Sequence, residues 1–127
     1  MIVVDTSALM AIALGEAFAS ACHSALATET EVLISAATAV EAMIVAHRKN
    51  VAEEMNGLLN GFGFSTILVA LEDVDKVAAA YRRWGKGFHP AGLNFGDCFA
   101  YALARERGCP LLFVGEDFSR TDVVSAL

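Results

Sequence analysis

The chain has 127 residues, of which 56% are hydrophobic and 19% are charged. This length favours one domain spanning residues 1–127, and the composition excludes a disordered chain. The net charge of −6, from 15 acids against 9 bases, argues against broad, nonspecific binding to nucleic acid, which depends on Lys and Arg at the phosphates.

The first half of the chain alternates short apolar strands with helices. A strand over Ile2–Val4 stops at Asp5, and Thr6 or Ser7 is placed to cap a helix that runs to Leu14 and ends at Gly15. The prediction continues with a helix from Glu16 to Thr28, a strand over Val32–Ile34, a helix from a Ser35 or Thr38 cap to Lys49, and a helix over Ala52–Leu59.

The second half repeats this alternation. A strand over Thr66–Val69 precedes a helix from Asp73 to Trp84, and Gly85–Gly96 forms a loop punctuated by Gly and Pro. Asn94 is placed to cap a helix that ends at Gly108, and a strand over Leu111–Val114 precedes a tail over Glu116–Leu127. Strands that alternate with helices predict an α/β fold, with a parallel sheet covered on both faces.

Two acids follow predicted strands directly. Asp5 comes after Ile2–Val4, and Asp117 comes just after Leu111–Val114. Ligands of open parallel sheets bind beyond the carboxyl ends of the strands, so both acids point to a site there. Asp5 has the alternative role of a helix cap, and Glu116 and Asp122 are possible substitutes or supporting acids for Asp117.

Two further acids lie among apolar neighbours, Glu41 one turn into its predicted helix and Asp97 in the first turn of another. Glu41 shares a helix face with Ala37, Ile44 and Val45, where a lone carboxylate is unfavourable unless that face is exposed or a cation is bound. Asp97 precedes Cys98 and Phe99, and its alternative role is to stabilise the helix N-terminus.

The four acids together predict a divalent-metal site. Asp5, Glu41, Asp97 and Asp117 in one cleft would repel one another without a hard cation, and oxygen ligands of this kind suit Mg²⁺ or Mn²⁺. Such a site supports phosphodiester hydrolysis by activating water and stabilising the leaving oxygen. Thr6 and Ser7 are predicted to orient Asp5 through their hydroxyl groups.

The three cysteines, Cys22, Cys98 and Cys109, form no CxxC pair. Their sparse, odd number indicates buried thiols in a reducing cytoplasm. The N-terminus lacks the basic region of a secretory signal, and the longest uncharged stretch, Met55–Leu71, contains Asn and Gly residues unsuited to a membrane span. The sequence therefore predicts a cytoplasmic protein.

Four segments resemble the PIN-domain ribonucleases, and most closely the VapC toxins of bacterial toxin–antitoxin modules. They are IVVDTSAL, ISAATAVEA, HPAGLNFGDCFAYALA and PLLFVGEDFSRTD, which occur in the family's order and cover nearly the whole chain. The resemblance implies a three-layer α/β/α fold around a mostly parallel sheet. It also implies Mg²⁺- or Mn²⁺-dependent endonuclease action on RNA, often a tRNA or a ribosomal RNA loop.

The resemblance also assigns roles to individual residues. The family's metal-binding acids match Asp5, Glu41, Asp97 and Asp117, and members vary most at the fourth position, which Glu116 adjoins. Thr6 or Ser7 matches the small hydroxyl position after the first acid, and Asn94 lies in the LNFGD segment. VapC-like proteins commonly form homodimers and are inhibited by a cognate, VapB-like antitoxin.

Three other classes of protein share some of these features. A receiver domain needs an acidic pair after its first strand and a late Lys, and a haloacid-dehalogenase-like phosphatase needs DxD where this chain has Asp5-Thr6-Ser7. A catalytically silent PIN-like interaction module stays open as the alternative function.

A partner groove is also predicted. Apolar side chains on the helices after the first two strands suit an amphipathic partner helix, whose Arg or Lys would pair with the acids of the cleft: Leu9, Met10, Leu14, Met43, Met55 and Leu59.

Overall fold

A computed structural model, which describes residues 1–127, contains four strands and six α-helices. The strands are β1 (Ile2–Val4), β2 (Val32–Ser35), β3 (Ser65–Ile67) and β4 (Leu111–Leu112). The helices are α1 (Thr6–Leu14), α2 (Ala19–Thr28), α3 (Ala36–Arg48), α4 (Ala52–Gly61), α5 (Val74–Trp84) and α6 (Phe95–Arg107). Two short 3₁₀ helices span Leu71–Asp73 and Phe118–Arg120.

The strands form one parallel sheet in the order β3-β2-β1-β4. In its register, Val3 pairs with Leu33 on one side and Leu111 on the other. Because all four strands run in the same direction, their carboxyl ends meet at one edge of the sheet. The predicted α/β fold with a parallel sheet is confirmed.

Helices cover both faces of this sheet. Successive side chains of β1 point to opposite faces, and since all of them are apolar, both faces need a cover. Ile2 and Val4 point into a core that contains Leu9 of α1 and Met55 of α4. Val3 points into a second core with residues of α5 and α6. With α1–α4 on one face and α5–α6 on the other, the fold is the three-layer α/β/α arrangement that the resemblance implies.

Polar caps fix where the helices near the carboxyl edge begin. Asp5 is the N-cap of α1, since its carboxylate accepts a hydrogen bond from the Ser7 amide at 2.9 Å, so the predicted cap at Thr6 or Ser7 is wrong. Ser35 caps α3 and Asn94 caps α6, as predicted. The cap positions therefore place α1, α3 and α6 at the same edge.

Several predicted boundaries differ from the structure. The second helix begins at Ala19, not Glu16, and β3 ends at Ile67 because the exposed Leu68 and Val69 lie beyond the sheet. The last strand keeps only Leu111–Leu112. The tail after it folds back along β4, and the Leu111 amide donates to the Val124 carbonyl at 2.8 Å.

The predicted partner groove is wrong for half of its residues. Leu9, Met10 and Met55 belong to the core and are at most 7% exposed, so no partner reaches them. Met43 and Leu59 are half-buried, and only Leu14 is well exposed. Residues one helical turn apart share one face of the helix, but their spacing does not show whether that face packs into the core or lies on the surface.

No single helix is long and apolar enough to cross a membrane. The pair formed by α1 and α2, bent by 119°, passes that test by length and composition only.

Candidate active site

Asp5 lies where β1 ends and α1 begins, and it is 2% exposed. Its Oδ2 atom accepts hydrogen bonds from the Ser7 amide at 2.9 Å and the Ser7 hydroxyl at 2.7 Å. The same hydroxyl accepts a bond from the Val114 amide at 3.0 Å, which ties the site to the segment after β4. The other oxygen, Oδ1, is buried and has no hydrogen-bond partner.

Glu41 enters the site from α3. Its Oε1 atom accepts a hydrogen bond from the Thr6 hydroxyl at 2.6 Å. The prediction that Thr6 and Ser7 both orient Asp5 is therefore correct for Ser7 and wrong for Thr6, which orients Glu41. Neighbouring residues of a helix point about 100° apart, so two adjacent hydroxyls reach different partners.

Asp97 enters from the first turn of α6 and is 9% exposed. Its Oδ2 atom accepts from the Asn94 amide at 3.0 Å, while Oδ1 of Asn94 accepts from the Asp97 amide at 2.8 Å. This reciprocal pair is a capping box. The end-capping role and the place in the site are thus combined in one side chain.

These three acids line a single open cleft at the carboxyl edge of the sheet. Its remaining lining residues are Thr6, Ser7, Met10, Leu14, Glu16, Val45, Lys49 and Asn94. Lys49 is the one base among them, and it forms no ion pair with the acids. The three acids therefore share the cleft with one lysine and are not held in ion pairs.

The pKa values of Asp5 and Asp97 lie above the usual value of an aspartate. Burial and, to a smaller extent, the charge of Glu41 raise the pKa of Asp5 to about 6, although the hydrogen bonds from Ser7 oppose the shift. Burial raises the pKa of Asp97 to about 7, and the charges of Asp5, Glu41 and Asp117 add to it. The charged forms of both groups therefore need a positive partner.

The predicted fourth acid lies at the margin of this cluster. Asp117 is exposed, directly before the 3₁₀ helix Phe118–Arg120, and does not line the cleft, although its charge reaches Asp97. Glu116 is exposed and its carboxylate accepts from the Ser119 hydroxyl at 3.3 Å. The structure thus brings together Asp5, Glu41 and Asp97, with Asp117 nearby.

Asp122 belongs to a different cluster. Its Oδ1 atom accepts from the Tyr101 hydroxyl at 2.6 Å, and its Oδ2 atom lies 3.4 Å from Arg83 and 3.6 Å from Arg105. With these partners its charge is balanced away from the cleft, so it is not a supporting acid there.

Besides lining residues such as Glu16 and Lys49, two residues beside the site were not among the predicted ones. Thr38 is fully buried, and its hydroxyl has no partner. Gly96 lies against the carboxyl group of Glu41. The sequence carries a signal for each: Thr38 lies one turn before Glu41, and Gly96 is a poor helix former in the first turn of a helix.

The donor set fits a hard divalent cation. The orphaned Oδ1 of Asp5 and the raised pKa values of Asp5 and Asp97 leave acceptor oxygens and negative charge that Mg²⁺ or Mn²⁺ would satisfy. No three His, Cys, Asp or Glu side chains are placed so that they could hold a metal ion together. A site with fewer protein ligands is compatible with Mg²⁺, which keeps several waters and binds through one or two carboxylates.

Comparisons with known proteins agree with this geometry. The sequence matches the PIN domain profile over residues 2–124. It is 41% identical to "Ribonuclease VapC" of Mycolicibacterium smegmatis over 97% of this chain and 98% of that protein. It is also 39% identical to "Ribonuclease VapC30" of Mycobacterium tuberculosis over 97% of this chain and 96% of that protein.

Solved structures share the fold. VapC20 of M. tuberculosis, described as a sarcin-ricin loop cleaving toxin, has a TM-score of 0.79 at 19% identity and covers 98% of this chain and 97% of its own. A toxin–antitoxin complex from Klebsiella pneumoniae has a TM-score of 0.74 at 19% identity, covering 100% and 98%. The full-length matches in sequence and in fold show that the chain belongs to the PIN-domain family, within its VapC branch.

Proposed function

We propose that residues 1–127 act as one PIN domain with metal-dependent endoribonuclease activity, the toxin of a toxin–antitoxin pair. The observation that carries the proposal is the cleft in which Asp5, Glu41 and Asp97 meet and in which none of them forms an ion pair with a basic side chain. The names of the related ribonucleases support the reaction class.

The protein's own groups hold this centre in place. Asp5, Glu41 and Asp97, with Asp117 at the margin, would hold Mg²⁺ or Mn²⁺, which when bound supplies an activated water and stabilises the leaving oxygen. Ser7 orients Asp5, and Thr6 donates to Glu41. Asn94 fixes the first turn of α6 and hence Asp97.

The substrate that we propose is one structured RNA, a tRNA or a ribosomal RNA loop. The net charge of −6 supports this choice, since an acidic protein gains little from nonspecific contacts with phosphates. The RNA and the cleaved bond would be identified by mapping new RNA ends after a short pulse of expression. New ends scattered over all transcripts would contradict a single structured substrate.

The reaction is tested with the purified protein and total RNA. We expect cleavage with Mg²⁺ or Mn²⁺, none in excess EDTA, and recovery when the metal is restored. The control is the double variant Asp5→Asn, Asp97→Asn, which removes two charges and should neither cut RNA nor bind Mn²⁺ in calorimetry. Undiminished cleavage in EDTA would contradict the metal, and a wild type that cuts no RNA would favour a silent interaction module.

We further propose that a small partner protein holds the enzyme inactive in the cytoplasm. The unpaired acids of the cleft would accept an Arg or Lys from that partner, which would compete with the metal. Exposed Leu14 and Phe18, the first at the cleft, give its apolar residues a place to pack. Co-expression of the small protein encoded alongside should relieve growth arrest. Arrest that persists in the Asp97→Asn variant would contradict both roles.

We also propose that the protein forms a homodimer. Exposed apolar side chains from three elements line one groove beside Glu41: Val40, Ile44, Leu68, Val69 and Phe95. A contiguous exposed apolar patch often marks an interaction site. Light scattering should give twice the chain mass, and Leu68→Asp should give the monomer. A monomeric wild type at micromolar concentration would contradict the proposal.

A further inference from the structure

Gly96 is the second residue of α6, between Phe95 and Asp97. A β-carbon built on it would overlap the carboxyl group of Glu41, the farthest of whose three atoms, Oε1, would lie only 2.8 Å away. Real β-carbons essentially never approach another atom within 3.0 Å. Any side chain at this position therefore displaces the Glu41 carboxylate.

The backbone at Gly96 does not itself require glycine. Its φ is outside the positive range, whereas Gly15 and Gly108, which end helices, have φ of 65° and 61°. Glycine is also among the poorest helix formers. Its presence in the first turn of α6 is thus explained by the space that it leaves for Glu41.

The Thr6 hydroxyl also holds the Glu41 carboxylate, since it donates to Oε1 at 2.6 Å. A group held by one hydrogen bond and by one close backbone approach has little freedom to move. The next residue after Gly96 is Asp97, so the first turn of α6 carries one acid of the cleft and positions another.

We propose that Gly96 is a positioning residue: the missing β-carbon sets where the Glu41 carboxylate lies relative to Asp5 and Asp97, and so sets the affinity of the cleft for its cation. This inference rests on the proposed metal-dependent function. It predicts a variant that folds normally and binds metal poorly.

The test compares Gly96→Ala with Gly57→Ala. Gly57 lies in the interior of α4, and a β-carbon there would meet no atom within 4 Å. Both changes should leave the melting temperature in EDTA unchanged or higher, because Ala is the better helix former. Only Gly96→Ala should weaken Mn²⁺ binding in calorimetry, by about 10- to 100-fold, the usual effect of disturbing a residue that supports a metal ligand.

A second substitution, at Glu41, distinguishes a positioning role of Gly96 from a general defect of the variant. Glu41→Asp shortens the side chain by one methylene and withdraws the carboxylate from Gly96. In that background Gly96→Ala should change Mn²⁺ affinity by less than about 3-fold, so that the two effects are strongly non-additive.

Three outcomes would overturn the inference. The first is a Gly96→Ala protein with wild-type Mn²⁺ affinity. The second is an equal loss of affinity from Gly96→Ala in wild type and in Glu41→Asp. The third is a melting temperature of Gly96→Ala in EDTA more than about 5 °C below that of Gly57→Ala, which would assign Gly96 to the stability of the fold. A wild type that binds no Mn²⁺ and cuts RNA in EDTA would instead defeat the proposed function on which the inference rests.

Discussion

The cleft and the Asp122 cluster use the same functional group in opposite surroundings, and α6 contributes to both. Its first turn carries Asp97 in the cleft, and its next turn carries Tyr101, whose hydroxyl donates to Asp122 at 2.6 Å. Asp122 also has Arg83 and Arg105 within 3.6 Å, whereas Asp97 has other carboxylates as its charged neighbours.

The difference shows which carboxylates are free to act. A charge that is balanced by arginines of the same protein has little left to offer a ligand, and Asp122 connects the C-terminal tail to α5 and α6. In the cleft, burial and, to a smaller extent, the neighbouring carboxylates raise the pKa of Asp5 and Asp97, and neither forms an ion pair with a basic side chain. Groups with such perturbed pKa values are characteristic of functional sites.

The largest difference between the cleft and the Asp122 cluster should appear in the rate of RNA cleavage after substitution. We expect Asp97→Asn to lower the rate of RNA cleavage by at least ~10²-fold, since even the groups that support metal ligands contribute 10- to 100-fold. The amide keeps the cap on α6, so folding should survive. The matched control, Asp122→Asn, should cleave RNA at nearly the wild-type rate. Equal losses in both variants would remove the distinction between the clusters.

The second difference concerns the pH dependence of stability without metal. Between the usual pKa of 3.8 and the folded values of about 6 and 7, folded Asp5 and Asp97 hold protons that the unfolded chain has released. Stability from these groups is therefore present below pH 4 and is lost as the pH rises to about 7, by roughly 3 kcal/mol for Asp5 and roughly 4 kcal/mol for Asp97.

Urea unfolding in EDTA across this pH range measures the effect. Asp97→Asn should flatten the curve and be more stable than wild type at pH 7.5, whereas Asp122→Asn should run parallel to wild type. Added Mg²⁺ should restore wild-type stability at pH 7.5, because binding favours the folded state. A wild-type curve that rises between pH 4 and pH 7, with no change in Asp97→Asn, would contradict the raised pKa values.

The smallest difference should appear in the stability of the Asp122 cluster. Asp122→Ala removes the acceptor of the Tyr101 hydroxyl and two partly exposed ion pairs, and we expect a loss of about 1–2 kcal/mol in the free energy of unfolding. Thermal unfolding should show this as a lower melting temperature with RNA cleavage retained. An unchanged melting temperature would mean that the tail is held by its contacts with β4 alone.

The sequence determined the order of elements, the parallel sheet and the three acids of the cleft. Short apolar strands that end at an acid, and polar caps followed by apolar helices, are local patterns that do not depend on the rest of the chain. Asp5 after β1 and Asp97 in the capping box were therefore predictable. The full-length resemblance to PIN domains added the layer arrangement.

Only the tertiary structure decided which polar groups meet. Thr6 and Ser7 are adjacent in the sequence, yet one donates to Glu41 and the other to Asp5. Leu9 and Met55 are core residues, although their spacing alone suited a surface groove. Asp122 bonds to Tyr101 and does not support the acids of the cleft. Gly96 of α6 lies against the carboxyl group of Glu41 because α3 and α6 converge there. These outcomes depend on how distant segments pack, and a local pattern carries no information about the distance between them.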